Sequence, residues 1–380
     1  MKLRTGILGI CCVFSVNYAS AAVLNVPQNY KSIQTALETA DDGDKILVAA
    51  GTYNERINFY GKKVILESTN GAAATKLSGD KKGSVVTFSS REGTESVLKG
   101  FTITDGLAET GGGIYCQEAS PTIKDCIISG NSATWGGGIY CYRQNPQILN
   151  CTIAENKAAK DGGGILCDES SPVVKDCVIS KNSAGEFFGG GIFCNRGSAP
   201  LISKCRFTDN SAQFGAAIGS QSGSFRITNS ILANNRAAFE GGGIFCEATT
   251  FVALHVTFFS NSAKESGGAI SCDKKSGGTV VNSILWGDTA QGTANEIYLK
   301  ESGLQISYSA VQGGRSGEGN ISAEPKFMDL FKGDYRLKEG SPCIDKGTAA
   351  PDKNYKLPDE DMAGRKRPQG KGPDMGAFEF

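Results

Sequence analysis

One histidine, His255, stands in 380 residues, and no Cys-x-x-Cys pair occurs. Thirteen cysteines are present, but without that spacing or a second histidine they argue against a zinc site. Neither sign of charge is in excess. Lys and Arg number 39, as do Asp and Glu, so nothing points to nucleic acid or an anionic membrane surface as partner. The apolar run Gly6 to Val16 is too short to span a bilayer, and nothing after it approaches spanning length. Lys2 and Arg4 before that run and Ala19-Ser20-Ala21 after it give 1–21 the form of a cleaved export signal. A lipid anchor on Cys11 or Cys12 is disfavoured by the bulky Ile10. The mature chain is therefore expected to be secreted or to sit at an outer membrane or cell surface, with no integral membrane segment. It keeps eleven cysteines, an odd number for a fully bridged exported protein.

Helical periodicity is scarce as well, and what replaces it is a repeat. The stretch 111–141 begins and ends on Gly-Ile-Tyr-Cys, and the phrase returns down the chain. Ile114, Ile139, Ile165, Ile192, Ile218, Ile244 and Ile270 each follow a triplet of small residues, at intervals of 25 to 27. Cys116, Cys141, Cys167, Cys194, Ser220, Cys246 and Cys272 stand two residues later. A second small column runs Cys126, Cys151, Cys177, Cys205 and Ser230, with Val256 and Ser283 completing it, and Asn131, Asn156, Asn182, Asn210, Asn235 and Asn261 follow its first six members by five. Such self-similarity marks a solenoid. Short alternating runs rich in Gly, Ser, Thr and β-branched residues make its units strands. The expected fold is all-β: a single-stranded parallel β-helix of about ten coils, each rising ~4.8 Å.

The columns then have physical roles. Glycine serves a bend that needs positive φ or tight approach. Ile and Cys, two apart, face the core together. The asparagines line a second bend, where their amides bond from coil to coil. Stacked cysteines act as small buried hydrophobes, with bridging between some of them left open. Residues 32–40 carry an amphipathic helical pattern suited to cover the first coil. The chain divides into 22–106, the N-terminal cap and first coils; 107–290, the repeat coils; and 291–380, a last coil and a C-terminal capping segment.

Three resemblances follow from these motifs. The passage VPQNYKSIQTALETADDGDKILVAAGTYNERINFYGKKVILES resembles the opening of pectin-lyase-like right-handed β-helix proteins, which implies a right-handed coil. Gly267-Gly268-Ala269-Ile270 and its copies, with Phe207…Asn210 and Phe258…Asn261, resemble the GGAI and FxxN repeats of chlamydial polymorphic outer-membrane proteins. The tail, from LKEGSPCIDKG to PDMGAFEF, is similar to the choice-of-anchor Q segment. The outer-membrane relatives end in a barrel for which this chain has no room.

Catalytic signals are thin. His255 fails the Gly-His-Gly signature of pectinolytic hydrolases and falls in a bend column with Asp125, Asn150, Asp176, Lys204, Asn229 and Asn282, which makes it structural. A polysaccharide lyase would need a cation and a Lys or Arg base, with Lys124, Lys175, Arg206 and Arg226 the exposed candidates. Asp345, Asp352, Asp359, Asp361 and Asp374 in the tail suit turns better than a calcium loop. More suggestive are aromatics expected to face outward: Tyr115, Tyr140, Phe193 and Phe245 after the isoleucines, and Trp135, Phe214 and Phe239, with Phe187 and Phe188, at the neighbouring bend. They could stack sugar rings or anchor a protein, or simply stack on one another. The reading favours an adhesin-like or carbohydrate-binding surface protein over an enzyme, needing no metal or cofactor, whose partner is a polysaccharide or a surface protein. A calcium-dependent polysaccharide lyase and a structural envelope spacer are the alternatives.

Overall fold

The computed structural model describes residues 21–292, 295–350 and 355–380. The export signal thus lies almost wholly outside the described residues, as do Cys11, Cys12 and Asp352. Alternation of apolar and polar residues sets each strand, and the repeat sets its partner. Ile114–Gln117 pairs in parallel with Ile139–Tyr142, so that Ile114 faces Ile139 and Cys116 faces Cys141. The same coil continues through Thr122–Lys124, Ile127–Ser129 and Ser132–Trp135 before the next glycine triplet. Stacked, these strands form a 21-stranded sheet folded at a bend, a 10-stranded sheet that carries the Ile-x-Cys strands, and an 8-stranded sheet. The result is a right-handed parallel β-helix of about eleven turns, close to the ten expected.

Each coil turns left-handed corners. The bend column has φ near +50° at Asp125, Asn150, Asp176, Lys204, Asn229, His255 and Asn282. A β-substituted residue pays about 1–2 kcal/mol for that conformation, least for Asp and Asn. Only the corner before the Ile-x-Cys strand is glycine in every repeat, at Gly111, Gly136, Gly162, Gly189, Gly215, Gly241 and Gly267. The next glycines answer a different need, close approach between coils: a Cβ on Gly164 would lie 2.5 Å from the carbonyl oxygen of Gly191.

Inside, the isoleucine and cysteine columns are buried, and the eleven described cysteines are free thiols. The second cysteine column does more than fill space. The N–H of Cys151 donates to Cys177 Sγ (3.5 Å), and in later coils Ser230 and Ser283 accept from Cys205 and Val256 (3.1 Å each). Cysteine or serine accepts in this way at most coils, while Val256, in register with Ser230, fills the same position without a lone pair. The asparagines are fully buried, and each Nδ2 donates to Oδ1 of the next, from Asn131 to Asn261, over 2.8–3.1 Å.

Helix α1, Ile33–Thr39, closes the N-terminal end on Ile33, Ala36 and Leu37, with Ser32 as its cap. Glu55 accepts from the N–H groups of Ile33 and Gln34 at 2.9 and 3.0 Å, which suits the positive end of a helix. The C-terminal segment first lies against the last coil, where Ile321 N–H donates to Ser309 O (3.0 Å) and Val311 N–H to Ile321 O (2.9 Å), and then runs back along the side as a strap over the bend column. Lys204 bonds Glu360 (3.0 Å), Asn229 donates to Glu360 O (2.7 Å), and Asn282 exchanges hydrogen bonds with Thr348 (2.8 and 2.9 Å). The bend leaves a furrow of side chains from coil to coil, and the strap fills it.

Candidate functional site

The aromatics fall in two places on one edge of the prism. Tyr115 and Tyr140 stack at 5.8 Å, half-buried, and Trp135 lies under the Lys160 ammonium at 5.1 Å. Further along, Phe188, Phe193, Phe214, Phe239 and Phe245 form a cluster with ring centroids 5.0–5.7 Å apart. Phe193 and Phe245, expected to face solvent, are 3% and 4% exposed. Phe188 covers them, because Gly219 between them in register leaves a vacancy for its ring. Of the aromatics in this cluster, Phe239 and the neighbouring Phe187 stay exposed, at 37% and 45%. The edge is therefore a largely self-stacked ridge.

A groove lies on another face. Leu201, Arg226, Val252, Thr279 and Gln305 stand in register on the outer face of the folded sheet, one per coil. The strap segment 355–359 runs alongside as a wall, with Tyr355 Oη 3.5 Å from Thr279 Oγ1. Two clefts of about 830 and 450 Å³ result, which adjoin at Leu201 and Arg226 and together make up the channel. Glycines at 277, 278 and 303 keep one side of its floor low. Arg226 gives one hydrogen bond, from Nη2 to Lys356 O, and forms no ion pair among the described residues. Among the described residues its remaining N–H donors have no partner. Lys356 beside it pairs with the exposed Asp359 at 3.2 Å.

The other candidate bases are placed differently. Arg206 is held by Gly333 O (3.2 Å) over the Tyr335 ring, where burial lowers its pKa. Lys124 and Lys175 are exposed and apart from the channel. The tail aspartates build turns: Asp361 Oδ1 accepts from Ala363 and Arg365 N–H (2.8 Å each), and Asp374 Oδ1 accepts from Asp345 N–H (2.7 Å). His255 is fully buried under the strap, its Nδ1 3.2 Å from Asp374 O and its Nε2 3.0 Å from Asn282 Nδ2. Burial, reinforced by the Arg367 charge, holds its pKa well below the usual value. Among the described residues no three His, Cys, Asp or Glu side chains gather as a metal centre.

A family model described as the right-handed β-helix region matches residues 64–190 and 163–285, more than half of the chain. The chain belongs to this family. No curated protein matches the β-helix. Among solved structures, pectate lyase Pel9A aligns with it over 95% of this chain and 97% of its own, with a TM-score of 0.50 and 13% identity. A pectin methylesterase solved with a hexasaccharide aligns over 84% and 98%, with a TM-score of 0.33 and 12% identity. At such identities the likeness to the lyase is one of fold.

Sequence reasoning named Arg226 as one of several scattered cations and did not single it out. The channel needs a wall that comes from over a hundred residues away, and the strap carries no period that would betray its course. The glycines at 277, 278 and 303, outside the repeat's own triplet, were the one local signal.

Proposed function

We propose that this β-helix is an exported, adhesin-like surface protein that binds a polysaccharide in the channel beside its C-terminal strap. One observation carries the reading. A channel open along the coils, apolar at Leu201 and Val252 and polar at Thr279 and Gln305, offers the unpaired donors of Arg226 to a chain-like ligand. A linear glycan, with its alternating apolar and hydroxyl faces, fits that lining better than a folded protein surface does. The resemblance of the repeats to polymorphic outer-membrane proteins, and of the tail to a choice-of-anchor segment, supports the surface location. The fold shared with a pectate lyase supports a carbohydrate ligand.

The test is affinity electrophoresis of the purified mature protein against a panel of neutral and acidic polysaccharides. Arg226→Ala should weaken binding about tenfold, as loss of a charge-assisted hydrogen bond does, with thermal stability unchanged. Trp135→Ala with Phe214→Ala should leave binding intact. The reverse pattern would move the site to the aromatic ridge. Binding to nothing in the panel would favour the spacer role, and a calcium-dependent rise in ultraviolet absorbance from unsaturated products would make the protein a lyase.

A further inference from the structure

The asparagine ladder ends in a place it cannot satisfy. At each coil an amide accepts on Oδ1 and passes a donor forward on Nδ2. Asn261 gives both its N–H and its Nδ2 to Oδ1 of Asp288, at 2.7 Å each. A carboxylate has no amide hydrogen to pass on. Its Oδ2 is buried without a partner, and so are both oxygens of Glu296 beside it. Asp288 is 3% exposed and Glu296 8%, and the two share a cavity of about 420 Å³ with Asn295, Gln312 and the backbone of Gly313 and Gly314. Arg315 also lines the cavity but forms no ion pair with either carboxyl.

We propose that this end of the ladder is a divalent-cation site of the calcium class, with Asp288 and Glu296 as its carboxylate ligands.

Two species could reconcile acceptors facing acceptors: a shared proton or a cation. A proton forms one O–H···O bond, occupies two of the three unpartnered oxygens and leaves the third buried and bare, at a cost of roughly 1–3 kcal/mol. Calcium takes about six to eight oxygens, carboxylates mono- or bidentate, with carbonyls and waters completing the shell. It can take all three oxygens, which are closed to solvent here, once the carboxyls turn toward the adjoining cavity and its space for waters. Burial raises both carboxyls, Asp288 to about 7 and Glu296 to about 10, with their mutual repulsion adding to Glu296. A shared proton and a bound cation both relieve that state. The position suits a clamp as well. Asp288 belongs to the end of the ladder, while Glu296 precedes Ile297–Leu299, the last strand of the Ile-x-Cys sheet. A bound ion would pin the final coil, at the end that α1 does not cover. This inference is independent of the glycan-binding reading.

The experiment is thermal unfolding of the full mature chain in calcium, in magnesium and in chelator, with equilibrium dialysis of calcium alone as a second readout. Calcium should raise the Tm by a few degrees and bind near one equivalent at the tightest site, and magnesium should do less. Asp288→Asn keeps the acceptor for Asn261 and adds an amide hydrogen facing Glu296, so it should fold, lose the calcium shift and outlast the wild type in chelator. Glu296→Gln is the second variant, expected to lose the same shift. A wild-type Tm equal in calcium and chelator, or a calcium shift that survives both substitutions, would overturn the proposal. The first outcome would leave the pair sharing a proton.

Discussion

Phe188 occupies the space that Gly219 leaves open. Gly219 stands in register between Phe193 and Phe245, and the Phe188 ring lies 5.2 Å from the first and 5.7 Å from the second. A Cβ on Gly219 would come within 2.8 Å of Gly189 N and 3.1 Å of Phe188 Cβ. Residues from one coil's corner thereby complete the outer column of the next coils.

Gly219→Ala should therefore destabilise the protein by about 1–3 kcal/mol, the usual cost of forcing a group into a filled site. Phe188→Ala should cost about 2–4 kcal/mol through the cavity it leaves. Urea unfolding measures both. The nearest atoms, Gly189 N and Phe188 Cβ, both remain in Phe188→Ala, so Gly219→Ala should cost about as much in that background as in the wild type, and a much smaller cost would show that the ring rather than the backbone limits the site.

The asparagine ladder predicts a gradient. Asn182 accepts from the N–H and Nδ2 of Asn156 and donates to Ile153 O and Asn210 Oδ1, at 2.8–3.1 Å. Asn182→Ala leaves these buried groups unpaired and should cost about 3–5 kcal/mol. Asn131, at the ladder's start, accepts only from Gly106 N–H (2.9 Å), and its loss should cost less. Equal effects at the two positions would show that the amides merely fill space.

Acid should loosen the strap. His255 donates from Nδ1 to the Asp374 carbonyl and accepts on Nε2 from Asn282, whose amide is fixed by Thr348. A proton on Nε2 would set donor against donor, beside the Arg367 charge, while the Asp374 carboxylate is engaged by the N–H groups of Asp345 and Phe380. The folded pKa lies below the ordinary 6.5, so this stability is complete above about pH 6.5 and is lost as pH falls below it. Limited proteolysis of the tail should accelerate on acidification. His255→Asn, the residue this bend holds at three other coils, should remove most of the acceleration. If the variant is as acid-sensitive as the wild type, the histidine is not the trigger.

The thiols should be inert. The eleven described cysteines are buried and unbridged. Thiol reagents should label none in the native protein within minutes and all eleven in denaturant, and reductant should not shift the Tm. A reductant-dependent fall in Tm would reveal disulfides.

Much of the fold is legible in particular residues. Ile114 and its copies announce the strand, Cys126 and its copies a bend that holds a small acceptor at most coils, and Asn131 and its copies a ladder. Each signal survives in sequence because every coil faces a near-copy of itself. The aromatic edge was half legible. Outward positions are given by alternation at Phe193 and Phe245, but their burial depends on Phe188 swinging over a glycine in the following coil. The site was the least legible. Arg226 looks like any surface cation until the strap lies beside it.

What the sequence alone determined is the repeating unit and its stacking, since a period near 26 residues permits only neighbouring coils to pair and the columns declare which atoms meet. Tertiary structure decided the rest: the course of the strap, the channel it walls, and the unmatched carboxyls of Asp288 and Glu296. These arise where the repeat stops. There the partners lie far apart in the chain, and packing rather than periodicity chooses them.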